Sequence, residues 1–473
     1  MGYKKSSKGA HFIMNFLSAL NGLVWGPATI FLILSVGIVL TVKTRFVQIF
    51  HLRKALSLIF KNDGKKGEIS PFASLCTTLS ATIGTGNIIG VAVAVKSGGA
   101  GALFWMLVSA FFGMATNYSE GLLAVKYRIS DPKGNYCGGP FYYIEKGLKE
   151  VLGENFPTRW LGVLFSFFAI LTCLFGMGTL VQSNGIFLAT KQIFNTSSSS
   201  LLPLSVGVAV VFLASPIIFG GGKAVSRFSS VLVPFMSVSF LVFSFIIIFS
   251  NITNLLPAIK LIFASAFSTN SVLGAASGIT ISEVVKIGVS KGIFSNEAGL
   301  GTAPIAAASS KSKSPVNTGL VTMTGTFIDT FVICLITGLC VVMTESYTQK
   351  NLIGFDIAAH SWKLGLPFSE EICVTILSVC LIFFAFATII GWSFYAEKCL
   401  YYILGRYNKT VVTLFRILYI IAVGIGPFLT PSSAFIIADI FNGLMAFPNL
   451  TALLLMSNIV KEETQKGLKS SGI

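Results

Sequence analysis

The chain has 473 residues, of which 53% are apolar and 11% charged, with a formal net charge of +16. So little polar surface cannot cover a water-soluble particle of this size, and the basic residues lie scattered between apolar runs rather than gathered as a nucleic-acid footprint. The apolar runs are continuous and about 20 residues long, not alternating and about ten, so the composition predicts membrane-spanning helices and excludes a barrel.

Taken in order, the runs predict spans at about 26–44, 72–95, 102–127, 160–190, 203–219, 228–250, 276–308, 316–343, 370–396, 411–427 and 432–457, eleven in all. No cleavable signal is expected, because the first long apolar run begins only near Trp25 and lacks a small-residue cleavage site. The connection 251–275, with Pro257 and a Ser/Asn cluster, reads as a loop holding a short surface helix. Alternate connections differ sharply in Lys and Arg. Of the 34, 23 fall on the side of the 43–68 loop and eight on the other, which predicts a cytoplasmic C-terminus and an N-terminus outside, against the votes of Lys4, Lys5 and Lys8. With the first span set aside, ten remain as two sets of five that enter from opposite sides. Each set opens with an interrupted span, the pattern an inverted repeat leaves. The expected segments are 1–71 (N-terminus, extra helix and basic loop), 72–250 (first repeat), 251–457 (outer connection and second repeat) and 458–473 (tail).

The first interruption is SATIGTGNIIGVAVAV at 80–95, where Gly84, Gly86 and Gly90 with Thr82, Thr85 and Asn87 weaken the helix near mid-span. Unpaired backbone survives at that depth only where protein buries it or a cavity bathes it, and its N–H and C=O groups then serve as ligands. Thr82, Gly84, Thr85, Gly86 and Asn87 offer uncharged oxygens that suit a reversibly held Na⁺ and amides that suit a carboxylate. A close-packing seam would explain the glycines but not Asn87. The second interruption, GIFSNEAGLGTAPIAAA at 292–308, puts Asn296 and Glu297 in apolar surroundings. Glu297 is read as an anchor of unwound backbone rather than a direct ligand, because full charge would oppose release.

Gln182, Thr388 and Trp392 are expected to face a central cavity, the last two stacked four residues apart on one face. Asp329 and Asp439 are expected to tie helices together, Glu120 to sit solvated or gating near Arg128, and Glu283 with Lys286 to form a vestibule pair. An enzyme is disfavoured: His11, His51 and His360 all lie outside the predicted spans, and no nucleophile has a base. The eight Cys lack ligand spacing and read as packing residues. A channel is disfavoured by the absence of a filter motif, whereas a sensor of the same build stays open.

At ATIGTGNIIGVA (81–92), FWM and EGLLAVKYR (104–128), GGPFYYIEKGL (138–148), VQSNGI (181–186), GIFSNEAGLGTAPIAAA (292–308) and ATIIGWSFYAEK (387–398) the chain resembles the alanine or glycine:cation symporter family. The resemblance implies an all-α polytopic membrane protein with the LeuT-like 5+5 inverted repeat and one extra N-terminal helix. It further implies Na⁺-coupled symport of a small neutral amino acid (alanine, glycine or serine) by alternating access in a bacterial or archaeal cytoplasmic membrane. Sodium would be the coupling ion, with no other metal, cofactor, nucleic acid or obligate protein partner beside the lipid bilayer. By the same resemblance Gly84–Asn87 meets the amino acid and a sodium ion, Gln182 is the pocket glutamine, Phe294 a lid or wall, and Thr388 and Trp392 the far wall, Thr388 also serving sodium with Thr82 and Asn87. The alternative is H⁺ coupling, with Glu297 or Asp329 as the proton carrier.

Overall fold

The computed structural model describes residues 14–61, 69–130, 136–194, 201–268, 280–405 and 408–470. Among them the only sheet is a short hairpin, Ile129–Ser130 antiparallel to Tyr136–Cys137; nearly everything else is helix. Lys4, Lys5, Lys8, Lys65, Lys66, Lys133, Arg406, His11 and residues 276–279 of the seventh predicted span lie outside the described residues.

Helix starts follow the local code. Ser70 precedes Pro71 and accepts from Ala73 N at 3.1 Å, and Ser314 precedes Pro315 and accepts from Asn317 N at 3.2 Å. Thr430 precedes Pro431 and accepts from Ser433 N at 3.3 Å. In each case a hydroxyl satisfies an orphan amide, and proline at the first position has no amide to lose. At Ile281–Asn296 the start is a full capping box between Thr280 and Glu283. Glu283 is therefore committed to Thr280, and the expected vestibule pair with Lys286 is not an ion pair.

Eight described helices are long and apolar enough to cross a bilayer, or nine if Pro71–Thr82 and Gly86–Gly98 count as one span bent by 56°. They fall on nine of the eleven predicted runs. Of the other two, 102–127 is one helix, Gly101–Lys126, whose second half buries Thr116, Asn117, Ser119 and Glu120. Protein surrounds that half, so it needs no lipid-compatible exterior. The run 276–308 appears as Ile281–Asn296 and Ala303–Ala308 about a non-helical link. The expected surface helix is present as Leu255–Phe267.

Gly101–Lys126 lies at the centre, and the second interrupted helix packs on it through Gly288 and Gly292. A Cβ at Gly288 would stand 2.5 Å from Ala102 O, and one at Gly292 2.5 Å from Ser109 Oγ. That is the close backbone approach small residues allow in membranes, where dispersion rather than the hydrophobic effect draws helices together. A last helix, Ser457–Ser470, ties back onto the bundle through Lys126–Glu463 at 2.8 Å and Tyr118–Thr464 at 2.9 Å.

Candidate functional site at the helix break

Pro71–Thr82 stops where Ile83 turns extended, φ −76° and ψ 98°. The chain re-enters helix through a π-helical turn at Gly86–Gly90 and continues as Val91–Gly98. Three side chains hold the break. Asn87 folds back so that its Oδ1 accepts from Gly84 N at 2.9 Å. Gln182, from Leu180–Phe194, accepts from Thr85 N at 3.1 Å. Thr388, from the 35-residue helix Glu370–Leu404, shares its one hydroxyl proton between Ile83 O at 3.1 Å and Phe384 O at 3.0 Å.

Gly84 sits in the crossfire of these groups: a Cβ there would lie 2.6 Å from Thr388 Oγ1 and 2.9 Å from Gln182 Oε1. Thr85, Gln182 and Thr388 are all fully buried, yet Thr85 Oγ1 and Gln182 Nε2 have no hydrogen-bond partner. A buried polar atom without a partner costs about 1–3 kcal/mol, so two on residues that bond each other at the break leave room for a polar partner there.

The two interruptions meet through Asp329. This residue lies in a second π-helical stretch, Phe327–Cys334, the kind of local over-wide turn that recurs at functional sites. Its Oδ1 accepts from Asn87 Nδ2 at 2.6 Å, and its Oδ2 accepts from Ser295 Oγ and Thr330 Oγ1, each at 2.9 Å. Thr330 in turn accepts from Asn296 Nδ2 at 3.0 Å, and Asn296 Oδ1 accepts from Ala298 N at 3.0 Å. Asn87 thus serves the break with its oxygen and, with its nitrogen, Asp329, which in turn holds Ser295 of the second interrupted helix.

Beyond Asn296 the backbone turns left-handed at Glu297 (φ 56°), Gly299 (φ 86°) and Gly301 (φ 79°). A non-glycine residue holds that conformation only where the surroundings over-determine it. Glu297 Oε2 accepts from Thr302 Oγ1 at 2.6 Å. From the other side Glu120 Oε1 accepts from Gly301 N at 3.2 Å and from Asn449 Nδ2 at 2.6 Å, while Asn449 also donates to Gly299 O at 2.9 Å. Tyr143 donates to Asn449 Oδ1. Glu120 is therefore neither solvated nor paired with Arg128, as its position near a span end had suggested; it is fully buried and pins unwound backbone. Arg128 instead stacks on Tyr136 at 3.6 Å and donates to the carbonyls of Ala308, Ser310 and Ser312 at 3.1, 2.9 and 2.8 Å.

Phe294 walls the break from the opposite side, its ring 3.3 Å from where a Gly86 Cβ would stand. It packs on Phe435 with ring centroids 5.5 Å apart. Lys291 lies over both rings at 5.0 and 5.7 Å and is paired with Asp439 at 3.0 Å. Phe435 and Lys291 form part of the wall of a cavity of about 540 Å³, bounded elsewhere by Ile89, Val93, Lys96, Lys191 and Asp356.

Of the residues singled out from sequence, Gly84, Thr85, Gly86, Asn87, Gln182, Phe294 and Thr388 converge on the break, and Asn296 and Asp329 join it through hydrogen bonds. Trp392 and Thr82 do not show such a contact. Trp392 is fully buried against Gly178 and Tyr395, one turn past Thr388, where it neighbours the Glu297 carboxylate. The Thr82 hydroxyl turns to its own helix, on Leu79 O at 3.5 Å. Asp439 ties two helices together as expected, but its partner Lys291 was missed, as were Asn449 and Tyr143; each pairs across at least 148 positions, and no local spacing announces such a partner.

The sequence profile of the sodium:alanine symporter family matches residues 10–470. The chain belongs to that family. Members are transporters, not enzymes. Relatives include the sodium/alanine symporter AgcS of Methanococcus maripaludis, 41% identical over 458 residues that make up 96% of each chain. A Haemophilus influenzae protein named only as a transporter is 46% identical over 455 residues, 96% of each chain. A Bacillus subtilis relative named as a probable sodium/glutamine symporter, GlnT, is 34% identical over 450 residues, 93% of this chain and 87% of that one.

Proposed function

We propose that this protein couples the entry of Na⁺ to that of a small neutral amino acid, alanine, glycine or serine, by alternating access around the break at Ile83–Asn87. The observation that carries the reading is the pair of unpartnered polar atoms, Thr85 Oγ1 and Gln182 Nε2, beside backbone held open by Thr388 and Asn87. The amino acid's carboxylate would take the Gln182 amide and the Thr85 hydroxyl. Na⁺ would take oxygens that now serve each other, Ile83 O and Thr388 Oγ1, with Asn87 and Thr82 as further candidates. A rigid break that needs the cation for its proper shape binds substrate poorly without it, and that differential is the coupling.

The wall at Phe294 argues for small side chains. One relative is named for alanine and another as a probable glutamine symporter, and on this reading the element that discriminates side-chain size belongs in the pocket wall. On this reading Gly101–Lys126 and the pair Ile281–Asn296 and Ala303–Ala308 complete eleven spans. The repeats are 72–250 and 251–457, joined at Asn87–Asp329–Ser295. The cavity over Phe435 faces outside, the Arg128 clamp and the C-terminal helix face the cytoplasm, and the membrane is the bacterial or archaeal cytoplasmic one. An inside-negative potential of 100 mV then adds about 2.3 kcal/mol per charge carried in, roughly 50-fold in accumulation.

Uptake of labelled alanine into proteoliposomes, under an inward Na⁺ gradient, an inward H⁺ gradient or neither, tests the reading. Uptake that requires Na⁺ and is competed by glycine and serine but not leucine is expected. Uptake driven by H⁺ alone would remove the sodium roles of Thr388 and Asn87 and move proton carriage to Asp329 or Glu297.

A further inference from the structure

We propose that a trough on the membrane-facing side, between Leu180–Phe194, Leu202–Phe219, Gly221–Ser250 and Glu370–Leu404, binds an acyl chain of an anionic phospholipid whose phosphate meets Arg227. The trough has a volume of about 610 Å³ and walls that include Val206, Ala209, Leu213, Phe383 and Phe386. Ile217, Phe228 and Leu232 continue it into a second recess of about 500 Å³ that ends at Arg227. Leu202–Phe219 is the least enclosed of the spanning helices, 28% buried by the rest of the chain, so a hollow along it faces hydrocarbon.

Three features select the occupant. The hydroxyls in the wall are already used, Thr190 on Ile186 O at 2.8 Å and Ser205 on Leu202 O at 3.0 Å, so the trough makes no polar demand. Its length fits an extended chain: Ser205 to Ile217 is about 18 Å of helix, against about 15 Å for half the hydrocarbon thickness. Its basic end is uncompensated. Arg227 and Lys223 are exposed, one turn apart and without an ion pair among the described residues, whereas nearby Arg416 is neutralised by Glu397 at 2.6 Å. An apolar slot with the cationic Arg227 at one end, and Lys223 one turn from it, is the negative image of a phospholipid. A second copy of the chain would bring side chains of varied width and no phosphate.

The site also touches the transport machinery. Phe386 packs on Phe228 and Phe383 on Phe235, with centroids 5.7 and 5.8 Å apart, and both walls belong to the helix that carries Thr388. A lipid here would steady that helix from outside.

The test uses the full chain in a neutral detergent, with phosphatidylglycerol and phosphatidylcholine of identical chains as probes. Native mass spectrometry counts retained lipid, and thermal unfolding reports stabilisation. The expected result is one tightly retained phosphatidylglycerol, preferred over phosphatidylcholine by about fivefold for each basic group engaged. Arg227→Gln should remove most of the preference while both lipids still bind, and Ala209→Trp or Leu213→Trp, either of which fills the slot, should abolish retention of both. Retention undiminished in both filled variants, an unchanged preference in Arg227→Gln, or loss of lipid only on dissociation of a dimer would each overturn the assignment. Because the readout is binding, failure here leaves the transport reading untouched, and failed alanine uptake leaves this one untouched.

Discussion

Replacing Gly84 by alanine tests the site with the smallest possible change. The added Cβ would stand 2.6 Å from Thr388 Oγ1, 2.9 Å from Gln182 Oε1 and 3.2 Å from Gln182 Nε2. Ordinary contact requires Thr388 Oγ1 to retreat by about 0.8 Å. That hydroxyl is β-branched and seated in the middle of a long helix, so it cannot swing away as a flexible chain end would. Its bond to Ile83 O, 3.1 Å at rest, would stretch past hydrogen-bond range or the break itself would shift. Overpacking of this kind costs about 1–3 kcal/mol, and as it falls on the groups assigned to cation and carboxylate, it should weaken apparent Na⁺ and alanine affinities by roughly 5–150-fold. The control is Gly90→Ala in the same segment, where a Cβ meets nothing within 4 Å and the helical backbone should gain up to about 1 kcal/mol. Concentration dependence of alanine and Na⁺ uptake, measured on both variants in proteoliposomes at matched protein density, decides the matter. If Gly84→Ala transports with the affinities of Gly90→Ala, the break is not the binding site.

Three other outcomes are expected. Phe294→Ala should open the wall facing Gly86 and let leucine or glutamine compete with alanine uptake, at a stability cost of about 3–5 kcal/mol from the lost core ring; competition unchanged from the parent would remove Phe294 from the pocket. Asp329→Asn keeps the shape but leaves one acceptor where three groups donate, Asn87 Nδ2, Ser295 Oγ and Thr330 Oγ1, so Na⁺ affinity should fall about tenfold or more while Asp329→Glu recovers part of it. A normal Na⁺ response in Asp329→Asn would show that Asn87 needs no such support. Arg128→Ala removes three donations to the carbonyls of Ala308, Ser310 and Ser312, each charge-assisted bond being worth roughly 1.5–3 kcal/mol. Amide exchange over 306–314 should then quicken at least tenfold, and unchanged exchange would mean that the loop is held elsewhere.

What could be read from sequence and what could not follows from how far each cause reaches along the chain. The break was legible because glycine, threonine and asparagine within an apolar run conflict with helix locally, and a conflict placed at membrane depth admits few explanations. Gln182 and Thr388 were legible for the same reason: polar groups at mid-span must face protein. Glu120 was misread because only its sequence neighbours were in view. Arg128, eight positions on, looked like its partner, whereas Asn449, 329 positions away, reaches it in the folded bundle. Gly101–Lys126, expected as a span at 102–127 and present as one helix, shows what enclosure permits. A helix enclosed by others answers to its neighbours and not to lipid, so Asn117 can donate to Thr326 and Ser119 can bond its own backbone at Ala115 O. The polarity of such a helix measures enclosure rather than distance from the membrane. That is why the least lipid-like helices gather around the break: in a medium that satisfies no polar atom, any group able to handle an ion must first be surrounded by protein, and the density of buried, mutually bonded polar residues locates the site more reliably than any single one of them.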